Sequence, residues 1–192
     1  MIEIRMHGRG GQGTVVASKI LADAAFKDGK YAQSFPQYGV ERRGAPVVAF
    51  TRIAEHENEL AVRSNIYEPD HLVILDPTLI GAVDVFHGLK EGGWVIINTP
   101  EPPEKFDVDP KYRVATVDAS GVAIKYRLGS KTQPIVNTAI LGAFVRATGI
   151  VTLNSLLRAI QENSPAKKEE NVKAAEEAYN STKIKNRGNY GN

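Results

Sequence analysis

The chain opens on an alternation of Ile2, Ile4 and Met6 against Glu3, Arg5 and His7, a period of two that predicts a half-buried strand over residues 2–7. The glycine run Gly8-Arg9-Gly10-Gly11-Gln12-Gly13 follows, and from Thr14 the period changes. Val15, Val16, Ile20, Leu21 and Ala24 recur at helical spacing as far as Lys27, with Gly29 placed to stop the helix. Three runs are apolar on both faces: residues 46–51 (PVVAFT), 71–75 (HLVIL) and 94–98 (WVIIN). They read as strands of a covered parallel sheet, and residues 112–117 as a further strand. Residues 78–90 have a helical pattern closed by Gly92-Gly93, so strand, helix and strand alternate as a right-handed crossover requires.

Residues 35–45 (FPQYGVERRGA) hold turn formers, two aromatics and three charges with no period, which predicts a long loop or an insertion at the active face. From Ile135 the pattern is helical again, over residues 135–147, 152–161 and 167–185. The last of these is rich in charge and alanine, with Val172, Ala175 and Tyr179 as a narrow apolar edge, so it is marginal in water unless it docks on something. The expected architecture is an α/β single domain: a mostly parallel sheet flanked by helices, Rossmann-like, over residues 1–165. A helical C-terminal extension over residues 166–192 completes it.

Composition removes several classes. The 192 residues carry 24 basic and 22 acidic side chains, a formal charge of +2, without the concentrated basic excess that binding to nucleic-acid phosphates needs. The 42% hydrophobic content suits one globular domain rather than a disordered, collagenous or coiled-coil chain. No cysteine is present, which excludes disulfides, thiolate catalysis, thiolate zinc sites and iron–sulfur clusters on this chain. The first residues lack a signal-peptide layout, and no apolar run approaches the ~20 residues of a membrane helix; a cytoplasmic location is expected. His7, His56, His71 and His87 have no spacing that gathers imidazoles around a metal. No G-x-S-x-G nucleophile motif occurs, so no catalytic residue and no metal ligand is assigned.

Two motifs carry chemistry. Gly8-x-Gly10-x-x-Gly13 sits between a strand and a helix, the context in which glycines let the backbone approach a phosphate at a helix N-terminus. The same glycines would equally permit close strand–helix packing. A dinucleotide site adds an acid about 20 residues on, where this chain reads Ala32-Gln33-Ser34-Phe35. NAD is thereby weakened, while Arg42 or Arg43 could meet the extra phosphate of NADP. A free-standing NADP-dependent Rossmann oxidoreductase is therefore the alternative reading. Thr14 and Val15 stand where a triphosphate loop needs lysine and a metal-binding hydroxyl, which argues against phosphoryl transfer. The second motif is Tyr38-Gly39-Val40-Glu41-Arg42-Arg43-Gly44-Ala45-Pro46. Its arginine forks suit carboxylate or phosphate, or Glu41 simply pairs with an arginine in a solvated loop. Asp76, just past HLVIL, is either an active-face carboxylate or the cap of the next helix.

Residues 5–13 (RMHGRGGQG), 38–46 (YGVERRGAP) and 134–143 (PIVNTAILGA) together resemble, in the same order, the gamma subunits of the 2-oxoacid:ferredoxin oxidoreductases, with pyruvate synthase as the nearest type. The resemblance spans essentially the whole chain. It implies a complex whose alpha, beta and delta subunits, separate or fused, carry thiamine diphosphate, magnesium and 4Fe-4S clusters. That complex converts a 2-oxoacid and coenzyme A to acyl-CoA and carbon dioxide and reduces ferredoxin. The missing cysteines agree with such a division of labour. In fused homologues the equivalent domain lies by the active-site entrance and is associated with coenzyme A. The resemblance accordingly implies a coenzyme A or anion face at Gly8, Arg9, Gly10, Gly11, Gln12, Gly13, Thr14, Arg42, Arg43, Asn137 and Thr138, with Tyr38 and Glu41 as subunit contacts. Arg43-Gly44-Ala45-Pro46 departs from the commoner Arg-Gly-Gly and points to the pyruvate branch.

Overall fold

The computed structural model describes residues 1–37, 43–60 and 64–185. Strands β1 (Ile2–Arg9), β2 (Tyr31–Pro36), β3 (Pro46–Ala54), β4 (His71–Ile74), β5 (Trp94–Asn98), β6 (Arg113–Val117) and β7 (Lys183–Ile184) form one sheet in the order β2-β3-β1-β4-β5-β6-β7. The centre is parallel: β1 with β4, β4 with β5, and β5 with β6. The flanks are antiparallel, with β3 on β1, β2 on β3 and β7 on β6. Helix α1 (Thr14–Lys27) therefore carries the chain to β2, two places from β1, with β3 inserted between them. A dinucleotide-binding unit instead sets its second strand parallel beside the first. An acid at the end of a second strand beside β1 therefore has no counterpart in this sheet.

Period-two alternation divides the sheet's side chains between two unequal covers. Ile4, Met6, Val73, Leu75, Trp94, Ile96, Ala115 and Val117 face the helices α1, α2 (Ala119–Lys125), α3 (Asn137–Thr148), α4 (Leu153–Asn163) and α5 (Lys168–Ser181). Leu72, Ile74, Val95, Ile97 and Val114 face the other way, onto Leu79, Val85, Leu89 and Val108. That second cover is made of turns and short 3-10 pieces. The helix expected over residues 78–90 is absent; a single 3-10 turn, Pro77–Leu79, stands at its start. Gly81 and Gly88 take φ of 99° and 72°, and a Cβ on Gly88 would lie 2.0 Å from the Tyr67 carbonyl. Backbone thus packs on backbone where a helix would have placed side chains.

The helical layer is built around α3, whose residues 137–145 are all buried. Helix α5 buries Ala174, Ala175 and Ala178 completely. A Cβ on Gly142 of α3 would meet the Ala175 carbonyl at 2.0 Å, so the two helices approach as closely as their backbones allow. The apolar edge of α5, too narrow to hold a free helix, is sufficient because small residues bring it into contact with α3. The chain then turns at Thr182 and adds β7 beside β6.

Candidate functional site

The glycine loop lies at the carboxyl edge of the parallel strands, where β1 passes into α1. Gly11 and Gly13 have φ of 99° and 83°, the left-handed region in which a side chain is strained. Gly13 is the residue before the helix, and no side chain caps α1. The amides of Thr14, Val15 and Val16 in the first turn have no carbonyl one turn back. The loop does not offer every amide, however. The Gly10 amide donates to the Ala45 carbonyl at 2.9 Å and the Gly44 amide to the Gly10 carbonyl at 3.1 Å, and Gly10 pairs with Arg43 as a parallel bridge. The two sequence motifs thus meet, backbone to backbone.

Side chains fix the loop from the β4 side. The Gln12 side-chain carbonyl accepts from the Arg9 amide at 2.7 Å, and its Nε2 donates to Asp76 Oδ2 at 3.2 Å. Arg9 Nε lies 3.3 Å from the same Oδ2. Its Nη2 donates to Thr78 Oγ1 at 2.9 Å and its Nη1 to the Gly44 carbonyl at 3.1 Å. Asp76 Oδ1 accepts from the Thr78 amide at 3.0 Å, so it caps the 3-10 turn, as one of the two sequence readings expected, and also reaches the glycine loop.

The opposite wall comes from the start of α3. Gly10, Gly13, Thr14, Ile135, Asn137 and Pro165 are among the residues lining a cleft of about 280 Å³. Helix α3 also begins without a side-chain cap, so two helix N-termini, each carrying partial positive charge, converge on one cleft. Thr14 is 2% exposed, and its Oγ1 has no hydrogen-bond partner among the described residues. Asn137 lines the cleft while its Oδ1 accepts from the Thr138 amide. Thr138 differs in duty from the expectation. It is 1% exposed, and its hydroxyl donates to Asn171 Oδ1 at 2.7 Å. Asn171 Nδ2 in turn donates to the Ala166 and Lys167 carbonyls, so Thr138 anchors the turn that bears Pro165.

Of the remaining expected residues, Tyr38, Glu41 and Arg42 lie outside the described residues. Arg43 donates from Nη2 to Gln133 Oε1. Val47, Ile135 and Pro165 are cleft residues that sequence reasoning missed, because only the fold converges them. Two of the histidines are structural: His7 Nε2 accepts from Arg5 Nε at 3.0 Å, and His71 Nδ1 accepts from the Trp94 amide at 3.1 Å. Burial, and for His7 the adjacent Arg5, holds both imidazoles down at about 4. Among the described residues no group of three metal-ligating side chains occurs, and no helix is long and apolar enough to cross a membrane.

The site is thus a loop of glycines joined to a second loop by paired backbone, at the edge of a mixed sheet with helices on one face. Residues 3–181 match the family model for pyruvate ferredoxin/flavodoxin oxidoreductase, and the chain belongs to that family. Within it the chain is of the gamma-subunit type. It is 56% identical over 189 residues to the pyruvate/ketoisovalerate oxidoreductases common subunit gamma of Thermococcus kodakarensis, covering 96% of this chain and 98% of the relative. It is 53% identical to pyruvate synthase subunit PorC of Methanocaldococcus jannaschii, covering 94% and 96%. The crystal structure of the pyruvate oxidoreductase subunit PORC from Thermotoga maritima superposes with a TM-score of 0.77 at 36% identity, over 95% of this chain and 97% of that one. A 2-oxoglutarate:ferredoxin oxidoreductase from Magnetococcus marinus, with 2-oxoglutarate, coenzyme A and succinyl-CoA bound, shares the fold at a TM-score of 0.69. This chain covers 30% of its length at 18% identity. A free-standing NADP-dependent dehydrogenase finds no support in these relatives, nor in the order of the strands.

Proposed function

We propose that this chain is the gamma subunit of a cytoplasmic pyruvate:ferredoxin oxidoreductase, and that its glycine-loop cleft holds phosphate groups of coenzyme A. The observation that carries the ligand reading is the convergence of two helix starts, α1 and α3, on one cleft, neither with a side-chain cap from the residue before it. The first-turn amides of α1 are free to take phosphate oxygens there. Val16, Val47, Ile135 and Pro165 supply an apolar wall for the less polar part of such a ligand. Arg43, bridged to Gly10, brings cationic charge to the rim, and Arg42, its neighbour in the sequence, is the second arginine assigned to the phosphates. Tyr38 and Glu41 serve subunit contact. Support for the activity comes from relatives named as pyruvate synthase and common gamma subunits.

In this reading thiamine diphosphate, magnesium and the 4Fe-4S clusters belong to alpha, beta and delta subunits, and ferredoxin meets the complex there. The complete absence of cysteine agrees with that. The assembled enzyme carrying Gly10→Val, which would put a branched side chain on the cleft lining, or Arg43→Ala tests the ligand reading. Each variant should raise the Michaelis constant for coenzyme A about tenfold, the equivalent of ~1.4 kcal/mol, with the constant for pyruvate nearly unchanged. Unaltered coenzyme A kinetics in normally assembled variants would make the two loops scaffold.

A further inference from the structure

We infer that Asp76 is a positioning residue for the glycine-loop cleft, holding the loop in its binding shape without touching the ligand. The inference rests on the reading of the cleft as an anion site, and its basis is the wiring of one carboxylate. Asp76 follows β4, leaves the strand at the carboxyl edge, and gathers four donors. Oδ1 takes the Thr78 amide at 3.0 Å and the Thr78 hydroxyl at 2.6 Å. Oδ2 takes Gln12 Nε2 at 3.2 Å and lies 3.3 Å from Arg9 Nε. Capping a 3-10 turn needs only the first oxygen; the second is directed wholly at the glycine loop.

Gln12 carries that hold into the backbone. Its Oε1 accepts from the Arg9 amide at 2.7 Å while its Nε2 is held by Asp76, so the amide plane can adopt only one orientation. Arg9 and Gln12 close a tight turn, with the Gln12 amide donating to the Arg9 carbonyl at 3.1 Å. Gly11 within this turn and Gly13 just after it take left-handed conformations. Arg9 extends the brace to Gly44, on the segment that carries Arg43.

Electrostatics explains why a carboxylate is tolerated beside an anion site. A bare negative charge there would repel phosphate, but Arg9 sits against Asp76 Oδ2 and neutralises it locally. Asp76 is not among the cleft-lining residues, whereas Arg9 is. The guanidinium is spent on Asp76, Thr78 and the Gly44 carbonyl, so the pair lies behind the loop as a neutral unit. Replacing Asp76 by asparagine keeps an oxygen for Thr78 but turns an NH₂ toward Gln12 Nε2 and Arg9 Nε, donor against donor.

The test uses the assembled enzyme in four forms: Asp76→Asn, Gln12→Ala, the double variant, and Gly13→Ala as a direct lesion of the cleft. Asp76→Asn should raise the Michaelis constant for coenzyme A about tenfold, with kcat and the pyruvate constant within about twofold of the parent. Because the two side chains act through one another, the double variant should be no worse than the poorer single one. Additive effects, or an Asp76→Asn enzyme whose only change is a lower melting temperature, would reduce Asp76 to a turn cap. If Gly13→Ala raises the coenzyme A constant and Asp76→Asn does not, the positioning role falls while the ligand reading stands. If neither moves it, both fall.

Discussion

A Cβ placed on Gly13 would lie 2.5 Å from Nδ2 of Asn137, so the glycine loop and the start of α3 are fitted to each other with no room for a methyl group. Gly13 also has φ of 83°, where alanine is strained. Gly13→Ala should destabilise the isolated chain by ~2 kcal/mol or more, read as a lower urea midpoint. A variant as stable as the parent would mean that Asn137 can swing aside, and that the cleft wall is softer than its packing indicates.

Acid should weaken the fold through two histidines. His7 and His71 stay neutral in the native state down to about 4, against 6.5 for a free imidazole. As pH falls from about 6.5 to 4 the unfolded chain takes up protons that the native one refuses, so the histidine contribution to stability drops across that window and levels off below it. The upper limit is ~3 kcal/mol for each histidine. His7→Gln, which keeps an acceptor for Arg5 but cannot titrate, should flatten the pH dependence of the urea midpoint; an unchanged slope would exclude His7 as a source.

Asn171 holds Thr138 and the carbonyls of Ala166 and Lys167 at once. Asn171→Ala leaves the buried Thr138 hydroxyl unpaired and should cost about 2 kcal/mol. The double variant with Thr138→Val should recover part of the loss, because no orphaned hydroxyl then remains. Calorimetry on the three variants decides this: no recovery would mean that the turn at 164–167, rather than the hydroxyl, sets the cost.

Helix α5 should not survive a side chain at Gly142. Gly142→Ala forces a methyl against the Ala175 carbonyl, and the expected destabilisation is about 3 kcal/mol. Limited proteolysis should then cut first within 168–181. Cleavage that begins elsewhere would show that the helix pair yields without separating.

Strands β4 and β5 of the parallel centre were legible because they are buried on both sides and so lack alternation, while β1 was legible from its alternation; residues 46–51, expected in the same parallel set, belong to β3, which runs antiparallel to β1. Strand β2 was not legible as a full strand: Tyr31–Pro36 is a half-exposed outer strand with a proline at its end, and residues from Phe35 onward read as loop. The helix expected over 78–90 failed for a different reason. Leu79, Val85 and Leu89 mimic helical spacing, but each is buried from a separate turn, and the Gly88–Tyr67 approach that enforces this is long-range. At the site, the glycine and arginine motifs could be read directly, and their meeting at Gly10 and Arg43 could not. Nothing local ties Asn137 or Pro165 to Gly13, since convergence of that kind is a property of the fold.

The unequal covers of the sheet imply an order in which the molecule opens. Amides of β1 and β4 are locked beneath a layer of packed helices on one side, whereas on the other side residues 77–90 and 103–112 rest as turns whose backbone hydrogen bonds are mostly local. Transient detachment of those turns exposes Leu72, Ile74, Val95 and Ile97 without disturbing α3. Native-state hydrogen exchange would then divide the chain into a slow unit, α1 with α3 and β1, and a faster one containing the turn layer. The glycine loop belongs to the slow unit through α1, and its Asp76 brace hangs on the border of the fast one.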